Sequence, residues 1–397
     1  MSNGTLGSDK VSTSGSRRGF LKLVGGGAIL ALGAGSLFVM TRTPSKALEP
    51  WKLALGPSVE IDPRRVVLSH AILSPNPHNR QPWLVDLVGD DEIVLYCDLD
   101  RRLPETDPYD RQITIGLGCF LELARLTALE IGMKMHMDLF PDGEAFPRLD
   151  SRPVARLRLE DTSTDKDPLF AQLFDRRSNK EPFDTMKPVS PNQAEDILSS
   201  AEAGAQVGYV LDETQISTLR DITWSALDVE MRTYRTAKES IDLMRIGKQE
   251  IEANPDGIDL GGAFMEILSA TGQLSRESLL AFDETMFEQS QASIRPPLDT
   301  AMGYVYVKSE GNSRIDQINA GRTYVRLNLK ATELGVSMHP LSQALQEFPE
   351  VAAQNKRIKE ELGVKDDETL QMLARIGFGD TPQPSPRWGY DTRIRSS

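Results

Sequence analysis

Hydrophobic and polar positions along the chain fall into stretches of different period. Residues 23–40 form one apolar, glycine-rich run. A polar lead-in covers residues 48–66, with a helix start predicted at Asp62-Pro63, where Asp caps and Pro takes the first turn. Residues 67–72 are apolar, and Ser74-Pro75-Asn76-Pro77-His78-Asn79-Arg80-Gln81-Pro82 is too rich in Pro and Asn to be regular. Trp83–Val88 and Glu92–Cys97 read as the two strands of a hairpin around Gly89-Asp90-Asp91. Residues 116–131 have the apolar period of a helix, and 135–140, 155–159, 209–211 and 301–308 read as strands. Between the last two, residues 213–286 are mostly helical and acidic.

One part of this pattern occurs twice. Gly118 and Gly132 bracket a helix containing Leu126, Ala128 and Ile131, and Gly321 and Gly335 bracket another with Leu329, Ala331 and Leu334 at the same offsets. Met135-His136 beyond the first helix answers Met338-His339 beyond the second. The repeat points to an internal duplication.

At 397 residues the chain is long enough for two compact units or one large one. Its formal charge of −13, without a dominant basic stripe, argues against nucleic acid as a partner. Two cysteines, Cys97 and Cys119, and four histidines give neither a disulfide scaffold nor zinc-ligand spacing. Two buried thiols or a single disulfide both fit the count.

Ser16-Arg17-Arg18-Gly19-Phe20-Leu21-Lys22 precedes the apolar run, the arrangement of a twin-arginine export signal. The competing reading, a transmembrane anchor, is weakened by Gly25, Gly26, Gly27, Gly33 and Gly35. Ser45-Lys46-Ala47 offers small residues for cleavage after Ala47. Residues 1–47 are therefore expected to be a signal peptide that engages the twin-arginine export machinery and delivers the protein to the periplasm, membrane-anchored if uncleaved. They carry a net +5, which leaves −18 on the rest. This route exports folded proteins, often already loaded with a cofactor, so a cofactor is to be sought.

Two segments carry candidate chemistry. In the loop from Ser74 to Trp83 the prolines stiffen the backbone, so its amides and Asn side chains are held ready for a planar polar ring with little entropy to lose. In Arg176-Arg177-Ser178-Asn179-Lys180, the alternate residues Arg176, Ser178 and Lys180 present two cations and a hydroxyl, suited to a phosphate or an electron-rich ring edge. Taken together, the Asn79-Arg80-Gln81-Pro82-Trp83 loop and the Arg-x-Ser-x-Lys segment resemble the nitroreductase family of FMN-binding proteins. Residues 320–335 resemble that family's late helix, and Ser385-Pro386-Arg387 its basic segment near the C-terminus.

The resemblance implies an α+β fold in two halves, each a mixed or antiparallel sheet flanked by helices. The order of motifs departs from the family, because here the basic motif follows the loop by about a hundred residues. Ordinary members are homodimers with flavins at the interface. This chain is thus expected to be a fused pseudo-dimer, monomeric, with halves at 48–165 and 166–397, a helical insertion at about 213–290, and one composite FMN site. Ser74, Pro75, Asn76, His78, Asn79, Gln81, Arg176, Ser178, Lys180 and Arg387 are the implied FMN-binding residues. No side chain is required as nucleophile or metal ligand, and His339 is a further group that could approach the flavin. The implied function is FMN-dependent oxidoreduction of a small electron-poor molecule; the alternative is a non-catalytic protein that binds and sequesters FMN.

Overall fold

The computed structural model describes residues 42–56, 62–202 and 204–395. The arginine pair and apolar run of the expected export signal lie outside the described residues. Ala47, the last residue of the expected signal, is buried, and its carbonyl accepts the Arg387 backbone N–H at 2.9 Å.

The first half opens with helices α1 (Glu49–Leu55) and α2 (Pro63–Ala71). Helix α2 starts as the sequence predicts, with Pro63 in the first turn and the Asp62 carboxylate accepting the Arg64 N–H. Strands β1 (Trp83–Val88) and β2 (Glu92–Cys97), helix α3 (Arg111–Glu130), and strands β3 (Met133–Leu139) and β4 (Ala155–Asp161) complete it. Helix α4 (Pro191–Ser199) and strand β5 (Gln206–Val210) lead into the acidic region, which is α5 (Glu213–Arg232), α6 (Tyr234–Asp242), β6 (Met244–Ile246), α7 (Gly247–Ala253), β7 (Ile258–Leu260), α8 (Ala263–Ala270), α9 (Arg276–Leu279) and α10 (Glu284–Asp299). The chain then runs through β8 (Gly303–Glu310), α11 (Arg314–Glu333), β9 (Ser337–Pro340), α12 (Ala352–Glu361) and β10 (Glu368–Gly377).

The fold is α+β with two four-stranded antiparallel sheets, ordered β1-β2-β4-β3 and β5-β8-β10-β9. Leaving out β6 and β7, which pair only with each other, both sheets follow one rule: first, second, fourth, third in chain order. Both have their flanking helix between the second and third strands, α3 in one and α11 in the other. These two helices are each 20 residues long and begin at buried arginines, Arg111 and Arg314.

The repeated glycines mark the place where the two helices cross. A Cβ on Gly118 would lie 2.2 Å from the Ile318 carbonyl oxygen, and one on Gly321 would lie 2.0 Å from the Ile115 carbonyl oxygen. The contact is reciprocal, each glycine admitting the backbone three residues before the other, as expected at a twofold axis. Beside the crossing the fully buried Glu122 carboxylate bonds Arg125, Arg322 at 3.1 Å and Arg326 at 3.0 Å. Burial raises its pKa, yet the three guanidiniums prevail and hold it below the usual carboxylate value.

The structure corrects several boundaries. Helix α3 starts at Arg111, not at 116: its first two turns are buried all round, so no apolar face shows in the sequence, and Asp107 bonds the Gln112 and Ile113 N–H groups. The acidic insertion stays helical to Asp299 through Pro296-Pro297, and it contains the short parallel pair β6–β7, which had no sequence signal. Both cysteines are free and buried, which resolves the alternatives left open above. Among the described residues one helix, Arg111–Glu130, is long and apolar enough to cross a membrane, and it is this buried core helix.

Candidate functional site

The loop after α2 is held in an unusual conformation. His78, Asn79 and Gln81 all have positive φ (46°, 50° and 51°), a region that costs non-glycine residues energy unless their surroundings fix them. Those surroundings are present. The Asn76 Oδ1 accepts the Gln81 N–H at 2.7 Å, and Asn76 and Pro77 pack against Gly116 of α3, which has no side chain to obstruct them. The Gln81 amide, fully buried, donates to the Pro255 carbonyl at 2.7 Å and accepts the Trp388 N–H at 3.0 Å. Gln81 therefore ties the loop to the insertion and to the C-terminal segment; its hydrogen-bonding groups are engaged within the protein.

The basic motif and the C-terminal arginine meet this loop from the other half. Arg387 is 4% exposed and donates to the Leu73 and Ser74 carbonyls (3.3 and 3.1 Å) and to Asn79 Oδ1 (2.5 Å). Arg176 is 3% exposed and donates to Leu73 O at 3.2 Å and to Asn328 Oδ1 on α11 at 3.0 Å. Arg177 stacks on the Trp51 ring at 5.0 Å, and Arg387 lies 5.7 Å from the same ring. Buried Arg176 and Arg387 and half-buried Arg177 thus cluster in one place, with no carboxylate in an ion pair with any of them among the described residues.

The electrostatic cost of that arrangement is visible. Burial, then the charges of Arg176 and Arg177, bring Arg387 down to about 9, and burial brings Arg176 to about 10. Both guanidiniums remain charged at neutral pH. Their Nε–H groups and the Ser74 hydroxyl are buried without a hydrogen-bond partner. Buried donors are nearly always satisfied, so a cluster of unpaired cations with orphaned donors is a place built for an anion.

A second group of residues lies further along. Solvent reaches Lys180, His78 and His339, yet protein surrounds each of them, which is how the walls of a cleft behave. Burial, followed by Lys180 and Arg80, lowers His78 to about 4, so it is neutral at pH 7. Burial also lowers the Lys180 ammonium, with Asp259 of β7 opposing that shift. The insertion is anchored across this cleft. Gly257 N–H donates to Asn79 O at 3.3 Å, and the Asp256 carboxylate pairs with Arg101 (2.6 Å), Arg245 (2.8 Å) and Arg80 (3.7 Å).

Of the residues singled out in the sequence, Ser74, Asn79, Arg176 and Arg387 converge on the arginine cluster, and His78 and Lys180 face the cleft. Asn76 and Gln81 shape the loop. Ser178 and Pro75 are half-buried with no side-chain hydrogen bond recorded for Ser178. The Asn79 side chain lies on the arginine side of the loop, its Oδ1 accepting from Arg387 and its Nδ2 donating to the Pro386 carbonyl at 3.0 Å. Trp51, Asn328, Asp256 and Asp259 went unnoticed in the sequence. Asn328 alone had a signal, its place in the segment that resembles the family's late helix, on whose buried face it sits.

No protein-family model matches the chain. It is 23% identical over 332 residues, 81% of its length and 88% of theirs, to two Mycobacterium tuberculosis proteins, one of them named "Putative NAD(P)H nitroreductase Rv3131". Similar solved structures include a nitroreductase with bound FMN from Bacteroides fragilis (14% identity; 55% of this chain and 91% of that one; TM-score 0.32). Another is the FMN and NADPH-dependent nitroreductase NfnB from a Sphingopyxis strain (17% identity; 58% and 99%; TM-score 0.36).

Proposed function

We propose that the protein is an FMN-dependent oxidoreductase of nitroreductase type, binding one FMN per chain between its halves and acting on a small electron-poor molecule. The observation that carries this reading is the cluster of buried Arg176 and Arg387 with half-buried Arg177, without an ion-paired carboxylate among the described residues and with orphaned Nε–H groups on the two buried members, next to a cleft lined by Lys180 and two histidines. The names of the Mycobacterium tuberculosis relatives support it, as does the sequence resemblance of the loop and the basic motif.

The residues fit FMN in chemical kind. The Arg176 and Arg387 guanidiniums, with the Ser74 hydroxyl, would hold the phosphate through charge-assisted hydrogen bonds. Lys180 would face the polar edge of the ring and favour its reduced, anionic form. FMN when bound supplies the electron-carrying chemistry, and the protein contributes orientation, electrostatics and exclusion of water. His78 and His339, both held neutral, can donate or accept a hydrogen bond without adding positive charge. The insertion, joined to the loop through Pro255, Asp256 and Gly257, would cover the ligand.

That cover also favours the second reading, in which FMN is bound and withheld from turnover. The export signal read in residues 16–22 supports a periplasmic site of action reached by the twin-arginine route, where nicotinamide cofactors are scarce, and the joining of two halves in one chain supports a monomer. Anaerobic mixing of the FMN-loaded protein with NADPH and a nitroaromatic, followed at the flavin's visible band, separates the readings. Rapid bleaching with repeated turnover supports the oxidoreductase; a flavin that stays oxidised with NADPH but is reduced by dithionite supports sequestration.

A further inference from the structure

Arg375, on β10, is fully buried and has no carboxylate partner in an ion pair among the described residues. All five of its N–H groups meet an acceptor. Nη1 donates to Pro297 O (2.7 Å) and Thr300 Oγ1 (3.4 Å), and Nη2 donates to Glu181 O (2.8 Å) and Asn179 O (3.3 Å). Its Nε donates to His339 Nδ1 at 3.0 Å. Beneath it lies the Phe183 ring, 4.0 Å from the guanidinium carbon. A guanidinium so saturated has no freedom to turn away from the imidazole.

Guanidinium can only donate, so His339 Nδ1 must accept and carry no proton. The remaining proton of a neutral ring is then on Nε2. Among the described residues Nε2 has no hydrogen-bond partner, and His339 is only half-buried, so solvent reaches Nε2 in the cleft it shares with Lys180. The same guanidinium grips the carbonyls on both sides of Lys180, so it fixes the two groups together. The charged groups acting on the His339 ring are Arg375 from β10 and Lys180 from the basic motif, and with burial they all oppose a second proton.

The duplicated half shows that this is a particular adaptation and not a feature of the repeat. His136 on β3 stands opposite Arg158 in the same register in which His339 on β9 stands opposite Arg375. There the imidazole Nε2 meets the exposed Glu160 carboxylate at 2.8 Å. One histidine is left to a surface carboxylate; the other is turned by a buried arginine towards the cleft.

We propose that Arg375 is a positioning residue that locks His339 as its neutral Nε2–H tautomer, and that this N–H is a specificity-determining donor to an acceptor oxygen or nitrogen of the ligand in the cleft. The ligand identity rests on the flavin reading above: the acceptor belongs to the isoalloxazine of FMN or to a nitro or carbonyl group of the substrate. The tautomer does not rest on it.

The test is nitrogen NMR of the ¹⁵N-labelled full chain, with the His339 signals assigned by their absence from both His339→Gln and His339→Asn. In the ligand-free protein the expected result is an unprotonated Nδ1 and a protonated Nε2, unchanged between pH 5.5 and 8. A protonated Nδ1, or titration to imidazolium in that range, would overturn the lock. Adding FMN, then 4-nitrobenzoate, should shift the Nε2–H resonance: a shift with FMN alone assigns the acceptor to the flavin, a shift only with both assigns it to the substrate. No shift in either step overturns the donor role. Affinity for the ligand so identified should fall about fivefold to tenfold in His339→Leu and recover in His339→Gln, whose amide can donate from the same place. FMN fluorescence that stays unquenched on mixing would sink the flavin reading and the donor role with it, while the ligand-free tautomer would still judge the lock.

Discussion

Replacing Arg387 by Met removes a charge from the arginine cluster while keeping much of the side chain's volume. In the ligand-free protein burial and the neighbouring Arg176 and Arg177 bring the guanidinium down to about 9, well below its ordinary value, a penalty on the order of 5 kcal/mol. Four hydrogen bonds, to Leu73 O, Ser74 O, Pro386 O and Asn79 Oδ1, offset it at ~1 kcal/mol each. The two nearly cancel, so the variant should fold with a stability within about 2 kcal/mol of the parent. With a phosphate present the balance changes, because the charge is then matched. Loss of that contact should cost about 1.5–3 kcal/mol, roughly a tenfold to hundredfold weaker affinity. The assay is a fluorescence titration with FMN and with riboflavin, which has the same ring and no phosphate. Arg387→Met should weaken FMN binding by that factor and leave riboflavin binding within about twofold. Equal losses for both ligands would refute the assignment of the arginine cluster to phosphate.

Two further outcomes follow from the packing. Burial raises the Glu230 carboxyl to about 7 although Gln346 donates to it at 2.7 Å. The native state therefore binds a proton that the unfolded chain releases near pH 4.5, and stability should fall as pH climbs from about 4.5 through 7, by up to about 3 kcal/mol. Urea unfolding at pH 5 and pH 8 should show Glu230→Gln with a flatter pH dependence and greater stability than the parent at pH 8; equal slopes would contradict it. Gly321→Ala places a Cβ 2.0 Å from the Ile115 carbonyl, so α3 and α11 must part, at a cost of about 4 kcal/mol or more. An unchanged melting temperature would mean the helices do not cross as described.

How much of this was legible in the sequence depended on whether a feature was local. The hairpin Trp83–Val88 and Glu92–Cys97 was readable to the residue because its alternation and turn are contiguous. The duplication was readable because close helix approach at Gly118 and Gly321 tolerates no side chain, so the contact leaves a trace in both copies. The buried start of α3 at Arg111 was not readable, since a helix enclosed on all faces has no polar side to set a period. Within the site, Arg176, Asn79 and Arg387 were found through their motifs. Their partners Trp51, Asn328 and Gly257 are fixed only by tertiary approach from α1, α11 and the insertion. Arg375 illustrates the same limit: in sequence it is one arginine in an apolar strand, and its five acceptors come from three separate segments.

The central claim is that two unlike halves of one chain complete a single flavin site. The direct measurement is FMN stoichiometry: the full chain is saturated with FMN, freed of unbound cofactor by gel filtration, and the flavin released by heat is quantified against protein. The account predicts one FMN per chain, because Arg176 and Arg387 meet only one loop of the Ser74–Trp83 kind. Two per chain, or none retained, would contradict it.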